Sequence, residues 1–162
     1  MKIDFPKTQS CTFTGHRDIE FSKIRPLKVA LRDAILQCYN EGVTNFICGM
    51  ALGFDMMAAE IVLNLRDECP DITLTAVVPF DGQEDRWRPS EQHRYDSILD
   101  EADQVIILSE RYFKGCEMKR NAFMANGSCR VIAYFNGEPH GGTYYTFKSA
   151  NEAGQQVVNL YR

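Results

Sequence analysis

No run in this 162-residue chain approaches the roughly 18 consecutive apolar residues of a membrane-spanning helix. The opening Met1-Lys2-Ile3-Asp4-Phe5-Pro6 also lacks the apolar core of a secretory signal. These two absences predict a cytoplasmic protein with no membrane partner. Cys11, Cys38, Cys48, Cys69, Cys116 and Cys129 contain no CxxC pair, and His16, His93 and His140 are scattered. Because a structural zinc site gathers four such ligands, no metal is expected, and the cysteines read as buried reduced thiols. A Gly-x-x-x-x-Gly-Lys-Ser/Thr run is missing, which argues against ordinary P-loop chemistry. There is no excess of basic residues either. A formal net charge of −4 argues against a surface that tracks a nucleic-acid backbone throughout, although a local basic cleft remains compatible with it.

Repeats, low-complexity tracts and linkers are absent as well, so residues 1–162 read as one domain, and 44% apolar content supplies it with a core. What is present is an alternation of strand-like and helix-like segments. β-Type runs occur at Cys11-Thr12-Phe13, Phe46-Ile47-Cys48, Thr73 to Val78, Val105 to Leu108, Arg130 to Phe135 and Val157 to Leu160. Between them, helical spacing is carried by Ile24, Leu27, Leu31, Ile35 and Cys38 (about Ser22 to Asn40, with Pro26 in the first turn). Further helices are expected from Asp55 toward Pro70, near Pro89 to Ala102, from about Glu117 to Asn126, and after Gly141-Gly142-Thr143. The unbroken apolar character of Thr73 to Val78 suits a parallel strand covered on both faces. Such regular alternation predicts an α/β, Rossmann-like, doubly wound and mainly parallel sheet with helices on both faces.

Glycine concentrates at the strand-to-helix turns. Thr14-Gly15-His16-Arg17 follows the first strand, and Gly49-Met50-Ala51-Leu52-Gly53-Phe54-Asp55 follows the second. In a doubly wound sheet these carboxyl-end loops face one another and form the ligand crevice. Glycine permits close backbone approach, and the helix N-termini offer free N–H groups to an anion. The Arg120-Asn121 pair and Gly141-Gly142-Thr143 belong to loops at the same end of the sheet. Arg17 and Arg120 supply forked donors suited to a phosphate. Asp55 reads either as a helix N-cap or as the acceptor for a ribose hydroxyl. Trp87, the single tryptophan, reads either as a lid or base-stacking platform or as packing of its loop onto the body. The candidate ligand-binding set is therefore Gly15, His16, Arg17, Gly49, Ala51, Gly53, Asp55, Trp87, Arg120, Asn121, Gly141, Gly142 and Thr143. No catalytic residue and no resident cofactor are assigned.

Taken in order, Thr14-Gly15-His16-Arg17, Gly49-x-Ala51-x-Gly53-x-Asp55-x-x-Ala58-Ala59-Glu60, Pro79-Phe80-x-x-Gln83-x-x-x-Trp87, Arg120-Asn121-x-x-Met124 and Gly141-Gly142-Thr143 resemble the YpsA/YoqJ-like bacterial family. That family belongs to the SLOG superfamily, alongside the DNA-processing protein DprA and the LOG phosphoribohydrolases. The resemblance spans Cys11 to about Ala153 and implies a Rossmann-like domain that binds a nucleotide-derived small molecule. Likeness to DprA in the first two loops implies single-stranded nucleic acid as an alternative partner. Likeness to the phosphoribohydrolases, in the later loops, implies N-glycosidic or phosphoester hydrolysis as another alternative. There the sequence departs from the pattern: the phosphoribohydrolase glutamate falls on Thr146, and a hydroxyl cannot replace a carboxylate as base. The ligand's identity and the oligomeric state stay open, a homo-oligomer included.

Overall fold

The computed structural model describes residues 6–162. Six strands, β1 (Ser10–Gly15), β2 (Asn45–Cys48), β3 (Thr73–Val78), β4 (Gln104–Ile107), β5 (Arg130–Tyr134) and β6 (Gln156–Asn159), form one sheet in the order β4-β3-β2-β1-β5-β6. Every pairing is parallel. Helices α1 (Phe21–Asn40), α2 (Phe54–Asn64), α3 (Pro89–Glu101), α4 (Cys116–Asn126) and α5 (Gly142–Glu152) make the crossovers. The chain therefore steps outward from β1 to β4, then returns to the far side of β1 with β5 and β6. That reversal opens a crevice above the β1/β5 pair, where Gly15 lies beside Tyr134.

Alternation along the strands assigns the two faces. Cys11, Phe13, Phe46, Cys48, Leu74, Ala76, Val78, Ile132 and Tyr134 pack with Leu27, Leu31 and Ile35 of α1, Ala58 and Val62 of α2, and Tyr95 and Ile98 of α3. Their neighbours point the other way: Ile47, Val77 and Ile106 meet Met124 of α4, and Val131 and Ala133 meet Ala150 of α5. This period-two division is what a sheet buried on both sides requires.

Local chemistry sets the helix ends. Gly42, at φ 96°, closes α1 with the N–H of Val43 bonded to Cys38 O (2.9 Å) and its own N–H to Tyr39 O (3.1 Å), a left-handed cap that only glycine adopts without strain. Because α1 begins at Phe21, Pro26 lies inside the helix rather than in its first turn, so one backbone hydrogen bond is missing there. Five of the six cysteines are buried, Cys129 is half-buried, and all six are free thiols. Among the described residues, no helix is long and apolar enough to cross a membrane.

Candidate functional site

The two glycine loops interlock. Phe54 donates its N–H to His16 O (3.2 Å), and His16 donates its N–H to Tyr134 O (3.3 Å). A Cβ on Gly53, whose φ is 81°, would sit 2.7 Å from Arg17 Cα, so the first loop rests on the bare backbone of the second. A Cβ on Gly15 would sit 2.7 Å from Phe54 Cβ. Phe54 is fixed from both sides, stacked on Tyr134 (5.8 Å) and edge-on to Phe13 (6.3 Å). The second loop also carries backbone strain: Met50, fully buried, has φ 61°, and its carbonyl accepts a hydrogen bond from Gln83 Nε2 (3.1 Å).

Above these loops lies a cavity of about 560 Å³. Of the residues singled out from the sequence, Gly15, His16, Arg17, Ala51, Asp55, Arg120, Asn121, Gly141, Gly142 and Thr143 line it. Gly49, Gly53 and Trp87 do not. Gly49 lies behind Arg120: a Cβ there would be 2.8 Å from the guanidinium carbon, and Gly49 O accepts a hydrogen bond from Arg120 Nη1. Gly53 supports Arg17, as described above. Trp87 packs edge-on against Tyr95 (5.3 Å) and lies partly buried against the core, the packing of its loop onto the body that was one of its two readings. It is tied down by its own helix neighbour.

Asp55 is not the N-cap of α2. Gly53 holds that position, and Asp55 lies in the first turn, where its Oδ2 accepts the N–H of Ala51 at 3.3 Å. Only 5% exposed, its carboxyl is pushed up to about 6 by desolvation, against the pull of Arg120, the Ala51 N–H and Arg17. A raised carboxyl pKa means the folded protein holds the proton more tightly than the unfolded chain. Its contribution to stability is thus complete below about pH 4 and is lost as the pH rises to about 6. Asp55→Asn is expected to flatten that slope in urea unfolding curves between pH 4 and 7. It should raise stability at pH 7 by up to about 3 kcal/mol, at 1.36 kcal/mol per pKa unit. An unchanged slope would contradict the assignment.

Arg120 is 5% exposed and is positioned by α4: its Nε donates to Asn121 Oδ1 (2.8 Å) and its Nη1 to Gly49 O, leaving the other guanidinium donors beside the cavity. Arg17, with its side chain 56% exposed, pairs with Glu117 at 3.5 Å. Both ends of this pair line the cavity, so an anion entering it competes with Glu117 for Arg17. Gly142 is close-packed, since its Cβ would meet Asn121 Nδ2 at 3.3 Å. The first intrahelical bond of α5 is Tyr145 N–H to Gly141 O (3.2 Å), so the N–H groups of Gly142 and Thr143 stay free at the cavity wall. Met118 and Tyr145, 40% and 51% exposed, line the same cavity and were not singled out from the sequence; large apolar residues at two helix starts were the available signal. Glu60 turns away and pairs with Arg94 of α3. Thr146 is buried in α5, its hydroxyl without a partner, and does not line the cavity. Among the described residues, no three His, Cys, Asp or Glu side chains gather as metal ligands.

The sequence profile of the YspA SLOG family matches residues 11–161, the span that contains every loop of this crevice. The chain belongs to the YspA SLOG family. Related proteins include a UPF0398 protein of Bacillus cereus strain B4264, 30% identical over 151 residues, covering 88% of this chain and 82% of the relative. A UPF0398 protein of Halalkalibacterium halodurans is 29% identical over 144 residues, covering 88% of this chain and 74% of its own length. Among solved structures, the DNA processing protein A of Helicobacter pylori, studied for its single-stranded DNA binding mode, superposes with a TM-score of 0.58 at 18% identity. The match takes in 93% of this chain but 64% of that one, and the likeness is one of fold: the Rossmann-like α/β architecture.

Proposed function

We propose that this member of the YspA SLOG family binds a nucleotide-derived small molecule, with the phosphate in the β1/β5 crevice. One observation carries the reading: Arg17, Arg120 and the free N-terminus of α5 converge on a single cavity. Cations with forked donors and helix-end N–H groups are two devices by which proteins hold phosphate. The cavity volume lies within the ~300–1,000 Å³ usual for small-molecule sites. Asp55, the one deeply buried acid in the lining, is a hydrogen-bond acceptor suited to a sugar hydroxyl or a base N–H. Native mass spectrometry of the purified protein followed by thermal-shift screening of nucleotides tests the reading. A ligand at about 100 times its dissociation constant adds about 2.7 kcal/mol of stability.

Glu117 pairs with Arg17 at the cavity wall, so Glu117→Gln is expected to tighten nucleotide binding about two- to fivefold, the release of an exposed pair of roughly 0.5–1 kcal/mol. Calorimetric titration reads this directly, and unchanged or weaker binding would show that the ligand does not displace the pair.

A second reading, single-stranded nucleic-acid binding, is supported by the fold shared with the Helicobacter protein and opposed by the net charge of −4. Counterion release makes such binding fall steeply with salt. A gel-shift titration with a short single strand, at low and moderate salt, separates the readings: absence of binding at low salt removes this one. Hydrolysis has less support, because the glutamate position of the phosphoribohydrolases is held by the buried Thr146. The purified protein is expected to release no free base from nucleoside monophosphates. Rapid release, abolished by Arg120→Ala, would overturn that.

A further inference from the structure

We propose that a smaller cavity on the other side of the His16–Arg17 segment is a second subsite, which takes the far nucleoside of a ligand built as two nucleosides joined by a diphosphate. The inference rests on the phosphate reading of the larger crevice. The smaller cavity measures about 280 Å³ and is lined by His16, Arg17, Asp18, Glu20, Lys23, Tyr134, Asn136 and Tyr161. Arg17 and His16 line both cavities. The larger one lies over the face covered by α4 and α5, the smaller one beside the start of α1, so the segment after β1 forms a ridge between them at the point where the strand order reverses. A diphosphate that runs from the α5 N-terminus to Arg17 therefore reaches this ridge, and its second nucleoside crosses into the smaller cavity, the way doubly wound sheets accommodate two-headed ligands.

The ridge is held rigidly. His16 O accepts the Phe54 N–H, the His16 N–H is bonded to Tyr134 O, and His16 Nε2 accepts the Asn136 N–H at 3.0 Å. Below it, Tyr161 packs on Tyr134 with ring centroids 5.0 Å apart, and Lys23 Nζ lies 4.4 Å from the Tyr161 ring centre and 3.4 Å from its hydroxyl. The exposed carboxylates of Asp18 and Glu20 stand at the cavity wall as acceptors. Acceptors beside the Tyr161 hydroxyl match a base with an exocyclic amine or a pentose with free hydroxyls, both of them donor-rich. Lys23 and Arg17 supply the opposite charge at the wall of the same cavity. The volume falls below the ~300–1,000 Å³ range of whole-ligand pockets, as expected of a compartment for half a molecule.

Calorimetric titration with ADP and with diadenosine diphosphate tests this, because the two probes differ by the second nucleoside. The wild-type protein is expected to bind diadenosine diphosphate at least about tenfold more tightly than ADP, a preference of about 1.4 kcal/mol. Tyr161→Ala is expected to reduce that ratio to within about twofold. Glu20→Gln, a change on an exposed side chain, is expected to lower it as well, and keeps the test decisive should Tyr161→Ala not fold. Equal affinity of the wild type for both probes overturns the second subsite and leaves the phosphate reading standing. A preference that survives both substitutions overturns its placement in this cavity. Binding of neither probe overturns the subsite together with the reading beneath it.

Discussion

Gly53→Ala is expected to destabilise the protein by about 3 kcal/mol and to abolish nucleotide binding. Two costs add at this position. The backbone has φ 81°, which a side-chain-bearing residue adopts at about 1–3 kcal/mol. The new Cβ would also meet the backbone of Arg17, 2.7 Å from its Cα, and overpacking of this kind costs roughly 1–3 kcal/mol. The neighbour is main chain and cannot rotate away, so the relief is movement of the 15–17 segment, which carries Arg17 out of the crevice. A chain of this size loses roughly 2–4 °C in Tm per kcal/mol, so a drop of about 6–12 °C is expected. A variant that melts within about 2 °C of wild type and still binds would show that the two loops do not rest on each other in this way.

Arg120→Ala should have the second largest effect, and it should appear in both stability and binding. The guanidinium is buried and bonded to Gly49 O and Asn121 Oδ1. Losing hydrogen bonds to a buried charged group costs about 1.5–3 kcal/mol each when the partner is left unsatisfied. Gly49 O has no obvious alternative, whereas Asn121 sits at the cavity and regains a partner from solvent, so a net loss of about 3 kcal/mol is expected. Asp55, stripped of its strongest stabilising charge, should hold its proton to still higher pH. Affinity for an anionic nucleotide should fall about 100-fold, since both a phosphate donor and the geometry of the Gly49 loop are lost. Arg120→Lys keeps the charge without the fork and is expected to recover only part of either loss. Urea unfolding and calorimetry on the same two variants check both; a wild-type affinity in Arg120→Ala would remove this residue from the ligand's surroundings.

The fold was legible because parallel strands covered on both faces read as continuous apolar runs. Thr73–Val78 is identical in sequence reading and structure, and the edge strand β4 differs by one residue at each end. The turn glycines were legible as a group, but their separate duties were not. Gly15 makes room for Phe54, Gly49 for Arg120 and Gly53 for Arg17, three tertiary contacts between residues more than 30 positions apart in the chain. Spacing carries no trace of them. Asp55 has the side chain of a good N-cap, yet the residue before α2 must tolerate a positive φ and contact with the Arg17 backbone, so glycine takes the cap and the acid moves inward. Trp87 stood outside any helical or strand stripe because its partner, Tyr95, belongs to the helix that follows, and that contact forms across the bend at Arg88-Pro89. Arg17 and Arg120 were recognisable as candidates from residue type and loop position, whereas the competing Glu117 became meaningful only once α4 had brought it within 3.5 Å of Arg17.

The central claim is the location of the phosphate, and backbone amide NMR of isotope-labelled protein titrated with ADP reads it most directly. The account predicts saturable shifts concentrated in residues 14–17, 51–55, 117–121 and 141–145, with the amides of Gly142 and Thr143 among the most strongly displaced and the effect lost in Arg17→Ala. Shifts confined to another surface, or a Gly142–Thr143 segment that stays still while ADP saturates the protein, would contradict it.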